Sequence, residues 1–434
     1  MSWQKVKLGD LCTIEKGKTG IQKAIPGEYP LVVTSEERKT NNEFQFDDEA
    51  VIIPLVSGTG HGHASIKRLH FQKGKFALGS ILCAVIPKDK NTLNADYLFR
   101  FLTLNKDREL VDRMKGMANV TLPIKEIAKI EIPLPPLKEQ IKFIEKYQIL
   151  EFKNGLISEE FSKQIDLIKQ LRQAFLREAM QGLLVKTETN GETGAQLLEK
   201  IKAEKAQLVK DKKLKKEKEL PPISEEEIPF EIPEHWAWCR LGEISNIKRG
   251  ISPKYSQNGV FKMLNQKCIR WFNITSEYSK AIDKEWFENL SEDFYIATSD
   301  ILVNSTGEGT IGRSAIVDET INRYTFDSHV LRVRSSINQT FICQLINSDF
   351  GQKLIDKIKG ATSTKQTELG VNNLSNFIIP LPPLFEQDKI VAKLDELMAF
   401  CDGLEESIKA SQGVNEKLLQ EVLREALQGE GVNA

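Results

Sequence analysis

The sequence predicts an α+β protein, with two mostly-β globular segments separated by two long antiparallel coiled-coil helices in a pseudo-twofold tandem repeat. Three observations predict it. The stretch Ile132-Pro133-Leu134-Pro135-Pro136-Leu137-Lys138-Glu139-Gln140 recurs as Ile379-Pro380-Leu381-Pro382-Pro383-Leu384-Phe385-Glu386-Gln387. Each copy opens a long proline-free stretch, and both stretches close on one word: Leu176-Arg177-Glu178-Ala179 before Gln181-Gly182, and Leu423-Arg424-Glu425-Ala426 before Gln428-Gly429. The spacing from Ile132 to Leu176 equals that from Ile379 to Leu423, so at about 1.5 Å per residue these are helical rods of equal length, roughly 70 Å. Thirdly, Leu8-Gly9-Asp10-Leu11 with Ile14 and Lys16-Gly17 is matched by Leu241-Gly242-Glu243-Ile244 with Ile247 and Arg249-Gly250, which opens a second, slightly longer half.

The globular segments read as β because short β-branched runs sit between turn formers: Ala50 to Ile53, Ser80 to Ile86, Asp300 to Val303 and His329 to Arg334. One helix is predicted in each, from Ala95 to Asn105 and from Thr340 to Lys359. In the second rod, Leu394, Leu397, Cys401, Leu404, Ile408, Ser411, Asn415, Leu418 and Val422 alternate three and four apart, the seam of a coiled coil. The equivalent seam of the first rod is Tyr147, Leu150, Asn154, Ile157, Phe161, Gln164, Ile168, Leu171 and Phe175. Lysine and glutamate fill most other positions, so each rod needs a partner along one stripe, and the other rod is the simplest one. The polar seam residues Asn154, Gln164, Ser411 and Asn415 either fix register or sit beside solvated gaps.

Between the halves, residues 194–218 suit an amphipathic helix built on Leu197, Leu198, Ile201 and Leu208. It ends in the lysine run Lys210 to Lys218 and is stopped by Pro221-Pro222, and an extended acidic linker follows to Glu234. The run is either a solvated helix face or a phosphate contact.

Composition bounds the chemistry. At 434 residues, 40% apolar and 28% charged, the chain is large enough for several cores. Met1 to Lys7 lacks an apolar leader core and no apolar run spans a bilayer, so a cytoplasmic, non-membrane protein is expected. Six cysteines stand singly without a CxxC pair, against a disulfide framework or a structural zinc site. The net charge of −1 means that any nucleic-acid surface has to come from local clustering.

No catalytic motif survives inspection. Gly17-Lys18-Thr19 ends like a phosphate-binding loop, but the glycine required five positions earlier is Cys12. No GxGxxG follows a strand, and no Asp/Asn-Pro-Pro-aromatic motif occurs. The polar loops are more suggestive. Ser57, Thr59, His61 and His63 lie in one glycine-rich loop, and Ser305, Thr306 and Arg313 lie in its counterpart. His61, His63 and His70 allow a metal site, a nucleic-acid contact or a plain loop. Before each proline stretch comes a second polar loop, with Lys115, Asn119 and Thr121 in one half and Ser363, Thr364, Lys365 and Gln366 in the other; either pair of loops supplies donors for phosphate or base edges, or simply turns the chain. Lys18, Thr19, Lys254, Lys267 and Arg270 complete the candidate contacts.

The two-half plan, the repeated proline stretch and the repeated Leu-Arg-Glu-Ala-x-Gln-Gly close together resemble the DNA-specificity subunit of type I restriction-modification systems, over nearly the whole chain. The resemblance implies a target recognition domain at 1–134, a central conserved coiled-coil helix at 135–185, a second target recognition domain at 236–381 and a C-terminal conserved helix at 382–434. The charged helical linker at 186–235 departs from the minimal plan. It also implies a non-catalytic subunit that binds double-stranded DNA and two modification (methyltransferase) subunits, joined by restriction subunits in restricting assemblies. Each recognition domain would read one half of a bipartite asymmetric site, and the coiled coil would set the gap. No cofactor is expected on this chain; S-adenosylmethionine, and ATP with Mg for restriction, belong to the partners. By position, Pro135, Pro136, Glu139 and Gln140 with Pro382, Pro383, Glu386 and Gln387 would set the junctions between domain and rod. Phe161, Ile408, Arg177-Glu178 and Arg424-Glu425 would serve the coiled coil and methyltransferase docking. Two readings from other classes are a self-contained modification or nuclease enzyme with cryptic catalytic residues and a protein-binding coiled-coil scaffold; methyltransferase assay of the chain alone and salt-sensitive, sequence-selective DNA binding separate them.

Overall fold

A computed structural model describes residues 3–58, 63–117, 119–186, 191–321, 324–361 and 367–428. The chain divides into two compact units, Met1–Lys163 with Ile408–Ala434, and Gln164–Ser407. Packing therefore cuts both rods in mid-length, where the sequence segmentation had placed borders at their ends. No helix among the described residues is long and apolar enough to cross a membrane.

In the first unit, Cys12–Lys16, Leu82–Pro87, Ala50–Pro54 and His70–Gln72 form a four-stranded antiparallel sheet in that order. Side chains alternate across a strand. Val51 and Ile53 join Cys83, Val85, Leu98 and Phe101 in one core, and Ala50 and Ile52 join Val32, Phe76 and Leu78 in another. Both faces are covered, which is why the strand reads as an unbroken apolar run. Each fully buried Val or Ile contributes roughly 1.5–3 kcal/mol. A second sheet runs Lys39–Asn41, Tyr29–Val32, Lys75–Leu78, Phe46–Asp47, with the two middle strands parallel.

The second unit repeats this topology. Ser245–Arg249, Val330–Ser335, Ile301–Asn304 and Ser314–Ile316 form the antiparallel sheet, and Lys280–Ile282, Phe261–Leu264 and Thr325–Phe326 form the smaller one, again with one parallel pair. Gly17 and Gly250 occupy equivalent close approaches, where a Cβ would strike the carbonyl oxygens of Gly79 and Asp327. The predicted helix at 340–359 is two, Gln339–Asn347 and Asp349–Ile358. They are broken at Ser348, whose hydroxyl accepts from the Gly351 N–H and caps the second helix.

The repeated stretch is a strand before it opens a rod. Glu131–Pro133 pairs with Lys5–Lys7, and Ile378–Leu381 pairs with Ala237–Arg240, so each unit's first and last strands close on each other. Helices of 44 and 45 residues then start at Leu137 and Leu384. The glutamine of each copy is fully buried. Gln140 accepts from the Asn94 N–H and donates to the Thr92 and Pro135 carbonyls; Gln387 accepts from the Asn338 N–H and donates to the Pro382 carbonyl. Asn94 and Asn338 are themselves the N-caps of the domain helices Ala95–Leu104 and Gln339–Asn347. The glutamine thus clamps rod to domain in both units.

Within the first unit, Phe143 and Ile144 pack with Leu427, and Asn154 accepts from Asn415. Within the second, Leu176 and Met180 share a core with Ile390 and Leu394, and Arg172 bonds Asp402 at 2.7 Å. Both sets run antiparallel. The seam of the second rod is corrected at three positions: Leu394, Cys401, Ile408, Asn415 and Val422 turn inward as predicted and Leu397 is half-buried, but Leu404, Ser411 and Leu418 are exposed and half-buried Glu405, Gln412 and Leu419 take their places. A three-four alternation and its mirror, four-three, share one set of positions, and the sequence did not separate them.

Residues 186–235 are not a spacer. The helix spans Gly194–Lys210, shorter than predicted, and buries Leu197 and Ile201 in the second unit's core. The Lys205 ammonium donates to the Gly242 and Ser245 carbonyls. The buried Arg240 guanidinium gathers the carbonyls of Pro221, Pro222 and Asn376 and the Glu227 carboxylate. The acidic stretch after the prolines is therefore strapped to the sheet rather than extended.

Candidate nucleic-acid interface

The two polar loops of each half, far apart in sequence, meet in space. In the first unit the Ser57 N–H donates to Val120 and the Leu122 N–H to Leu55, so the glycine-rich loop lies along the second loop. That second loop is a hairpin closed by reciprocal backbone bonds between Lys115 and Thr121, of 2.7 and 2.8 Å. Asn119, Lys115 and Thr121 are exposed. Lys115 bonds Glu126 at 3.1 Å on the surface, a pairing weak enough to be exchanged for phosphate. The Ser57 hydroxyl is spent on the His63 carbonyl and the Ser65 N–H, which shape the loop, and His63 is exposed. Lys18 and Thr19 stand at the same end of the sheet, Lys18 donating its backbone N–H to Gln45 and Thr19 bridging Gly79. Of the histidine group, His70 is corrected: it is a buried strand residue, 3.1 Å from Arg38, and burial with the neighbouring Arg38 and Arg68 guanidinium groups pushes it down to about 4.

The second unit has the same construction. Gly360–Ala361 pairs antiparallel with Thr367–Glu368, Thr306 bridges Glu368, and the Leu369 N–H donates to Ser305. Arg249, at the end of its strand, binds both the Glu368 carboxylate and the Ser305 hydroxyl, tying the loops together. Ser305 is thereby corrected: it is fully buried and holds the loop rather than meeting a ligand. Thr306 is half-buried between Gln266 and the exposed His329, at 3.0 and 2.9 Å. Arg313 donates to the Gly309 carbonyl and lies over the Trp271 ring. Lys267 is exposed and Arg270 stacks on Tyr278. Lys254 does not join this group; it pairs with Asp283 beside the smaller sheet. Thr59, His61, Ser363, Thr364, Lys365 and Gln366 lie outside the described residues.

Sequence reasoning missed Arg249, Gln266, His329, Trp271 and Phe272. Arg249 carried a signal, since it matches Lys16 in the repeat; Gln266, Trp271 and Phe272 sit in a connection that the first half lacks in this length, and His329 lies in the turn before the strand Val330–Ser335.

At the junctions, Glu386 is buried and its carboxylate accepts from His235 Nε2 at 2.7 Å, whereas Glu139 is half-exposed and pairs with Lys142. Pro136 and Pro383 accept the first amides of the rods, from Glu139 and Gln140 and from Glu386 and Gln387. Pro135 and Pro382 are buried. Phe161 and Ile408 are half-buried, and Arg177, Glu178, Arg424 and Glu425 are exposed.

A family model described as the type I restriction modification DNA specificity domain matches residues 1–171 and again 233–411. The interval between the matches contains the linker helix. The specificity subunit of type I restriction enzyme EcoAI of Escherichia coli is 33% identical over 254 residues, 56% of this chain and 42% of that protein, so the chain spans under half its length there. The EcoDI specificity subunit of the same organism is 24% identical over 437 residues, covering 99% of this chain and 89% of its own. A solved chain from work on complex assembly and conformational transition of the type I R-M system superposes with a TM-score of 0.62 at 15% identity, covering 99% of this chain and 98% of that one. With two matches, one on each copy of the duplicated unit, the chain belongs to the type I restriction-modification DNA specificity family.

Proposed function

We propose that this chain is the sequence-reading subunit of a type I restriction-modification complex. Each unit reads one half of a bipartite, asymmetric site in double-stranded DNA through its paired loops. The coiled coil sets the unread gap and docks two modification subunits, with S-adenosylmethionine carried by them and not by this chain. The observation that supports this most is the duplication of one composite polar surface at the same end of the same sheet in both halves, on a chain whose relatives are named specificity subunits. Two unlike readers on one chain suit an asymmetric target, because direct readout needs base-edge donors on each half-site. Neither the self-contained enzyme nor the protein scaffold is favoured by those relatives.

Exchanging residues 18–131 for those of a relative, with the assembled complex expressed in cells, tests the reading. Sequencing of methylated sites is expected to show one half-site replaced and the other retained. Replacement of both, or of neither, overturns it.

A further inference from the structure

Between Phe261–Leu264 and Lys280–Ile282 the second unit carries residues 265–279, where the first unit makes do with 33–38. The longer connection folds into its own small hairpin. Ile269 bridges Ile274 and the Arg270 N–H donates to Asn273, leaving Trp271 and Phe272 alone at the tip. Both rings are substantially exposed, at 44% and 50%. Solvent alone gives no reason to place two large aromatics on a tight turn.

Two further observations show that the tip is held in this posture. Phe272 has φ of +57°, a left-handed conformation that is uncommon for bulky residues and disfavoured by contact between Cβ and the following carbonyl. Its N–H is pinned at 3.0 Å to the Ser314 carbonyl, at the edge of the main sheet. Trp271 is backed by the Arg313 guanidinium, 5.6 Å from the ring centroid, and Arg313 itself belongs to the glycine-rich loop of the candidate interface. Gln266, in the turn before the hairpin, bonds Thr306 in that same loop. The tip is thus continuous with the proposed reading surface, and residues 33–38 of the first unit hold no aromatic side chain.

From this geometry we infer that the Trp271-Phe272 tip is a wedge that inserts at a base step of the half-site read by the second unit, stacking on an unstacked base and bending the duplex there. Apolar wedges act in this way where a protein reads deformability as well as base edges. The arginine behind Trp271 stiffens it and adds positive charge close to the phosphates. The first unit, lacking the hairpin, leaves its own half-site stacked. The inference rests on the DNA-reading role proposed above.

The test uses the assembled complex and a duplex carrying the methylated site mapped in the host, with 2-aminopurine placed step by step through each half-site. Beyond the target base that each modification subunit flips out, wild type is expected to raise the fluorescence at one further step, in the half-site read by the second unit only. Phe272→Gly removes the ring and also relieves the left-handed backbone, so it is expected to leave the melting temperature unchanged or higher while affinity for the duplex falls about tenfold, in line with the loss of one aromatic–base stack. Trp271→Ala is expected to lower affinity similarly, and both variants to lose the signal at that further step while keeping those at the flipped bases. Variants that keep wild-type affinity and signal overturn the wedge, as does a defect confined to assembly with the modification subunits. A wild-type complex that fails to prefer the mapped site over a scrambled duplex overturns the reading role itself, a separate outcome.

Discussion

Gln140 and Gln387 hold equivalent posts, and at the residue scale they explain why the repeated stretch ends as it does. A glutamine side chain offers an acceptor and two donors at one point, which is what a buried junction between a helix N-cap and a proline carbonyl requires. A glutamate there would lack the donors. His70 shows the opposite case, a titratable group whose environment opposes its charge. The folded chain resists protonation at His70 until about pH 4, while the unfolded chain takes up that proton near the ordinary value of 6.5. Its contribution is therefore complete above pH 6.5, is lost as the pH falls towards 4, and changes no further below that. At pH 5 the loss is about 2 kcal/mol. Urea unfolding of wild type and His70→Gln at pH 7 and pH 5 is expected to show a smaller acid sensitivity in the variant by about that amount; equal sensitivities would rule out the assignment.

Among the elements, the rods combine a shared apolar seam with one polar pair. Asn154 and Asn415 face each other within the first unit. An amide pair in a seam costs stability and selects the register in which the two amides satisfy each other. The double change Asn154→Leu with Asn415→Leu is expected to raise the denaturation midpoint, by about 1–2 kcal/mol of stability gained through apolar burial. It should also permit slippage, read as new disulfide products between cysteines introduced one heptad out of register. A variant that gains stability but forms only the native-register product would show that the asparagines do not set alignment. The linker helix follows another rule. Its apolar face found a sheet because Lys205 and Arg240 supply donors to carbonyls that would otherwise be buried unpaired.

For the whole molecule, the reading proposed above turns rod length into a measured quantity. Removing one heptad from each rod shortens the coiled coil by about 10 Å, or about three base pairs of B-form DNA. Methylated-site sequencing of cells carrying such a complex is expected to return the same two half-sites with a gap shorter by about three. Changed half-sites with an unchanged gap would refute the ruler.

The sequence by itself determined the duplication, the central strands near 50–54, 82–87, 301–304 and 330–335, the rods and their lengths, because these rest on periodicity and on local backbone constraints that neighbouring residues carry. It also marked the polar loops that make up the candidate interface in each half. Only the tertiary structure decided that those loops join in pairs, that Ser305 and His70 face inward, that the linker is part of the second unit, and which of two seams the second rod uses. The reason is physical. A hydrogen bond such as Ser57 to Val120, or Arg249 to Glu368, joins residues whose chemistry is ordinary until distant strands bring them together. Burial likewise belongs to the packed whole: serine, histidine and leucine look alike in a sequence whether they face water or a core.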